Sequence, residues 1–158
     1  MMQWSKIRAR LVELLVPDLR SRIGFHLTNY REHSGHAHEL WITVDKQRVF
    51  SASYCNNMIE ENVLQRRTGM RVWGDDREAK LATDILTKRE VHDPADIVSS
   101  FRTYLDLDPQ IAITSSDVVL RALAVVDRRI GKKTLRALDI GKNEHSLVRA
   151  FYSLRMKS

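Results

Sequence analysis

The sequence predicts an α+β fold: an N-terminal helix, a small antiparallel sheet of three or four strands, and a helical C-terminal half packed on one face of that sheet. Three observations lead there. Apolar residues recur at helical spacing through the first segment. They alternate with polar residues at Ile23, Phe25 and Leu27, and the strand-like stretches Leu40–Val44, which is β-rich, and Arg48–Tyr54 follow, together suggesting an antiparallel meander with one buried face. From Met58 onward helical spacing returns, punctuated by cap residues, and it lasts almost to Ser158.

Taken in order, Ile7, Leu11, Leu14 and Leu15 form the apolar stripe of the first helix, with Ser5 as its expected N-cap and Pro17 as its stop. Ile23, Phe25 and Leu27 open the first strand, Leu40–Val44 is the second, and Arg48–Tyr54 is the third, after a tight connection at Asp45–Gln47. The run Arg31–His38 reads as the loop of the first hairpin. A short helix is expected over Met58–Arg66, while Gly69–Gly74 fits loop and strand equally. Asp75–Arg89 is helical, and Asp93-Pro94 pairs an N-cap with a first-turn proline for a helix through Leu105. Thr114–Asp117 supplies cap oxygens for a helix over Val118–Ile130, which Gly131 should end. Lys132–Leu138 forms a further turn, and the last helix runs from about Glu144 to Met156. The expected core residues are Leu11, Leu14, Phe25, Trp41, Ile42, Phe50, Phe101, Leu123 and Phe151, with Trp4 lying across the sheet edge.

With 158 residues, 43% apolar and 29% charged, the chain has enough apolar material for a real core and too much for disorder. Three prolines and no repeat or low-complexity stretch leave no linker, so residues 1–158 are read as one domain. No stretch has the roughly 20 apolar residues of a membrane span, which argues against a membrane partner. The N-terminal residues lack a leader's apolar core, and a lone cysteine, Cys55, has no intrachain disulfide partner; cytoplasmic residence is the expectation. Cys55 itself is read as a half-buried structural thiol.

Charge is unevenly placed. The net +6 conceals +7 over residues 121–158, +4 over the first 31 residues and −5 between them. The basic ends either present a surface to polyanions or are cancelled by the acidic middle.

Few residues point to chemistry. His33, His36 and His38 lie within six residues, and imidazole suits zinc, nickel or copper, but no cysteine or distant ligand completes a set, so no metal is expected. No nucleophile elbow, phosphate loop, dinucleotide fingerprint or zinc-protease pair is present. Catalytic residues are therefore expected to be none, and cofactors none, with enzyme activity left open and disfavoured. The distinctive stretch is Leu120–Arg136. Leu120, Leu123, Asp127 and Ile130 share one helix face, which puts Asp127 on an apolar stripe where a carboxylate needs a partner. Arg149 or Arg155 of the last helix is the expected one. Arg128, Arg129, Lys132, Lys133 and Arg136 straddle Gly131 and form the candidate site for an anionic partner. A solvated basic helix end is the competing reading, and the block contains no aromatic residue for base stacking.

Several of these stretches also carry a resemblance. Met2-Gln3-Trp4-Ser5-Lys6, the strand Leu40-Trp41-Ile42-Thr43-Val44-Asp45, Arg121-Ala122-Leu123-Ala124 with Asp127-Arg128-Arg129 and Gly131-Lys132-Lys133, and the closing Phe151-Tyr152 with Leu154-Arg155 together resemble an uncharacterised family of short bacterial proteins. The resemblance implies a bacterial origin and a stand-alone domain, and it carries over no activity, cofactor or site residue.

Three functions follow as expectations. The first is a non-catalytic binding module that sets the basic C-terminal surface against nucleic acid or an acidic protein. The second is an accessory or immunity-type protein that recognises one protein partner. The third is a small enzyme using the histidine loop and Asp127.

Overall fold

The computed structural model describes residues 2–30, 37–74 and 76–158. Among them are eight α-helices and one three-stranded antiparallel sheet, so the α+β expectation holds. The order is α1 (Trp4–Leu14), a 3-10 turn at Pro17–Leu19, β1 (Ile23–Tyr30), β2 (Ala37–Val44), β3 (Gln47–Ser53), α2 (Tyr54–Thr68), α3 (Arg77–Lys88), α4 (Pro94–Leu105), α5 (Pro109–Ala112), α6 (Val118–Val126), α7 (Lys132–Arg136) and α8 (Ser146–Lys157). The strands form a meander in the order β1-β2-β3. A two-residue turn joins β2 to β3, with Asp45 at φ 49° and Lys46 at φ 69°, the left-handed backbone that tight hairpins demand.

Several boundaries differ from the sequence expectation, each for a local reason. Gln3 and not Ser5 precedes α1, without a side-chain cap. The short helix expected from Met58 begins four residues earlier, because the Ser53 hydroxyl accepts from the Asn56 amide and caps α2; Gly69 ends it in the left-handed conformation at φ 69°. The helix α5 was not expected, yet Asp108 caps it through the Gln110 amide and Pro109 occupies its first turn. The helix expected over Val118–Ile130 stops at Val126, and Asp127 is already extended at φ −72°, ψ 132°. Gly131 does not end a helix but precedes one, as the N-cap of α7.

The chain divides into two compact units, Met1–His26 with Trp41–Phe50 and Ile97–Ser158, and Leu27–Leu40 with Ser51–Asp96. In the first, Ile23, Phe25 and Ile42 lie on one sheet face and are buried. Helix α4 brings Phe101 onto that face: its ring meets Phe25 edge-on at 5.6 Å and stacks on Trp4 at 6.1 Å. Trp4 is thus half-buried against an aromatic partner. Helix α6, with Val119 through Val126 almost wholly buried, packs along α8 through Leu147, Val148, Phe151 and Leu154. Two core expectations need correction. Leu14 is only half-buried while Leu15 takes the interior position, because the helix ends at Leu14 and the extended backbone turns Leu15 inward. Trp41 is half-buried on the opposite sheet face from Phe25.

In the second unit, Leu64, Val72, Ala82 and Leu86 form a separate core of α2, α3 and the segment between them. Asp76 caps α3 by accepting from the Ala79 amide at 2.9 Å, and its other oxygen pairs with Arg71 at 2.6 Å. Cys55 is exposed on the first turn of α2, which overturns its reading as a half-buried thiol. The helix starts one residue before it, so Cys55 points outward instead of closing the strand. An exposed thiol forms intermolecular disulfides in air. Purified protein kept without reductant is expected to show a dimer band on a non-reducing gel, and Cys55→Ser to abolish it; no such band in the parent would show that the thiol is inert.

Candidate functional site: a basic loop beside a buried carboxylate

The loop after α6 is anchored by backbone. Leu15 and Asp127 form an antiparallel bridge, in which the Arg128 amide donates to the Leu14 carbonyl at 2.9 Å and the Val16 amide donates to the Val126 carbonyl at 3.0 Å. This clamp ends α6 and turns Asp127 inward, where its side chain has no solvent exposure.

Asp127 is therefore buried and paired with an arginine, as its place on the apolar stripe demands, but neither expected arginine is the partner. Arg129 is. Its Nη2 donates to Asp127 Oδ2 at 2.7 Å, its Nε to Oδ1 at 3.0 Å, and its backbone amide to Oδ1 at 2.8 Å. The buried Tyr104 hydroxyl of α4 donates to Oδ2 at 2.5 Å. Asp127 itself is extended and opens a turn, in which the Ile130 amide donates to the Asp127 carbonyl at 3.1 Å, and this turn folds Arg129 back onto the carboxylate. Burial, and then the carboxylate beside it, push the ionisation of Tyr104 far above the ordinary phenol range. Arg149 is exposed. Arg155 is 8% exposed and reaches the Ile130 carbonyl through Nη2 at 3.1 Å, while its Nε meets no protein acceptor among the described residues. Desolvation without a carboxylate lowers its pKa.

The five expected site residues divide in two. Arg129 is committed to Asp127, and the Lys132 ammonium donates to the Ser158 carbonyl oxygen. Arg128, Lys133 and Arg136 are exposed, and none has an ion-pair partner among the described residues. Lys132, Lys133 and Arg136 all ride on α7, Arg136 four residues on from Lys132 and three from Lys133, so they share one side of that short helix. Arg129 also lines an open cleft of about 460 Å³ with Leu105–Gln110. Asp106 and Asp108 stand in that cleft, so it does not extend the cationic surface.

Of the three histidines, His33 and His36 lie outside the described residues, and His38 belongs to β2. Among the described residues no group of three metal-binding side chains converges.

One cluster escaped the sequence reading. On the sheet face opposite Phe25, His26 of β1 stacks on Trp41 of β2 at 5.1 Å and 9° between planes, and the Arg48 guanidinium of β3 lies 4.3 Å from the centre of a Trp41 ring. His26 Nε2 is 3.1 Å from the Thr43 hydroxyl. Gly24 makes room for this: a Cβ there would stand 2.5 Å from Thr43 Oγ1 and 2.6 Å from His26 Nε2. The signal was available. Counting back from the two-residue turn at Asp45-Lys46 puts Thr43 opposite Arg48 and sets Trp41 on the same face.

No curated protein and no solved structure matches the chain. A family model matches residues 3–156, almost its full length, and on that match the chain belongs to the SF0329 protein family.

Proposed function

We propose that this chain is a non-catalytic binding module whose basic surface, centred on Arg128, Lys133 and Arg136 with Arg129 and Lys132 beside them, engages an anionic macromolecule, either nucleic acid or an acidic protein. The observation that carries the reading is the uncompensated charge around this loop. The first compact unit holds 18 Lys and Arg against 9 Asp and Glu, so both basic ends of the sequence fall in one unit of net +9, and the second unit is −3. Inside that excess, Arg155 is a buried guanidinium that, among the described residues, is held by one backbone carbonyl, that of Ile130 in the loop. Burying a charge without a counter-ion is costly, and an anion docked on the loop offsets that cost. A surface of this kind also raises association rates with polyanions.

The enzyme reading loses its main support, since the Asp127 carboxylate is shut away from solvent and taken up by Tyr104 and Arg129. A cytoplasmic bacterial setting suits the proposal, and the unpaired cysteine supports it. No described helix is long and apolar enough to cross a membrane.

Titration with a labelled duplex, a labelled single strand and an acidic polypeptide at several salt concentrations tests the reading. Binding to at least one of them is expected to weaken as salt rises. Reversing Arg128, Lys133 and Arg136 to Glu is expected to weaken it by about 100-fold, while circular dichroism stays unchanged because all three are exposed. Unaltered binding in that triple variant would refute the site, and no binding of any polyanion by the parent would refute the function.

A further inference from the structure

The stack of His26, Trp41 and Arg48 lies in the same basic unit and adds what the C-terminal loop lacks, half-buried aromatic rings beside cations. Arg48 and His26 come to Trp41 from the strands on its two sides, β3 and β1, and among the described residues the imidazole of His26 on β1 is the last ring of the stack. The Thr43 hydroxyl holds the ring in place over Gly24. The groups acting on His26 are Arg8 from the exposed side of α1, Arg48 from β3, and the uncharged Trp41 and Thr43 from β2.

We propose that this face binds single-stranded nucleic acid: a base continues the stack on the outer face of His26, and the adjoining phosphate is held by Arg8 and by His26 in its protonated form. The inference rests on the reading of the basic unit as a polyanion-binding surface and names the strand that it prefers. His26, the last ring of the stack among the described residues, keeps part of its surface exposed. A base inside a duplex has no free face to offer such a ring, which favours an unpaired strand over a duplex. Desolvation first, and then the two arginines, lower the pKa of His26, so the free protein carries it neutral at physiological pH. A phosphate reverses that balance by adding a negative charge beside the ring. Binding therefore takes up a proton, and affinity rises as pH falls.

The experiment uses the full chain, a labelled oligothymidylate, a duplex of the same length and thymidine monophosphate. The parent is expected to favour the single strand over the duplex, and its single-strand affinity to grow between about pH 8 and pH 6, across the ordinary histidine range. Arg8→Glu, on an exposed helix face, and His26→Ala are each expected to weaken single-strand binding by about tenfold, the scale of one lost stacked base, and to leave duplex binding nearly unchanged. His26→Gln, which keeps a polar group of similar reach, is expected to remain folded and to lose the pH dependence. Equal losses on strand and duplex, or none on either, would overturn this inference and leave the C-terminal loop as the polyanion surface. Thymidine monophosphate binding as tightly as the strand would overturn it as well, since the site would then be one for a nucleotide. A parent that binds no polyanion in any form removes the broader reading along with this one.

Discussion

Asp127→Ala is expected to destabilise the fold by about 3 kcal/mol, near the lower end of what breaking a buried ion pair costs. The loss has identifiable parts. The buried Tyr104 hydroxyl loses its acceptor, the Arg129 amide loses its cap, and the Arg129 guanidinium loses its partner. Arg129 is 40% exposed and rehydrates in the variant, which keeps the figure from the upper end of the range. Tyr104→Phe removes one hydrogen bond to a buried charge and is expected to cost about 1.5–3 kcal/mol. Urea unfolding of the two single variants and the double variant gives the coupling between them, which should be clearly non-zero. A change under about 0.5 kcal/mol for Asp127→Ala, the size of an ordinary surface effect, would show that the cluster contributes nothing to the fold. Alkali offers a second reading of the same contact. The folded chain keeps the Tyr104 proton to higher pH than the unfolded chain does, so this contribution is present below about pH 10 and is lost as pH rises beyond it.

Phe101→Ala carries the largest expected loss, about 4–5 kcal/mol. The ring is fully buried, and the deletion leaves a cavity between α1, α4 and β1. It also removes the aromatic pairs with Trp4 and Phe25, each worth about 0.5–1.5 kcal/mol beyond the area it buries. Phe101→Leu keeps most of the volume and should recover more than half of the loss. Denaturant midpoints measure both. Trp4 fluorescence reports the local change, since its stacking partner is gone. A loss below about 2 kcal/mol in the alanine variant, less than large-to-small core changes normally cost, would mean that neighbouring side chains collapse into the space.

Local chemistry made much of the fold legible. The apolar alternation at Ile23–Leu27 marked β1, the β-rich run Leu40–Val44 marked β2, and the short connection at Asp45 marked the hairpin into β3. Asp93, Asp117 and Pro94 announced α4 and α6, because a cap acts within three residues of its own position. The burial of Asp127, and its need for a cation, also followed from its spacing to Leu120 and Leu123.

Which cation it would find did not follow. The α6 pattern runs unbroken through Ile130, and Gly131 stands where a helix stop belongs, yet the antiparallel bridge to Leu15 ends the helix four residues early. Residues 112 positions apart in sequence make that decision, and no periodicity near Asp127 records it. The turn after Asp127 then folds Arg129 back onto the carboxylate, while Arg155 reaches Ile130. The same holds for the sheet face that carries Trp41. His26, Trp41 and Arg48 each look ordinary in their own segments, and they become one stack only through strand register and the missing side chain at Gly24. The sequence by itself determined the elements and the sign of the charge, because propensity, capping and alternation act between near neighbours. Tertiary structure alone decided which cations are paired and which remain exposed, because pairing depends on where distant backbone segments meet.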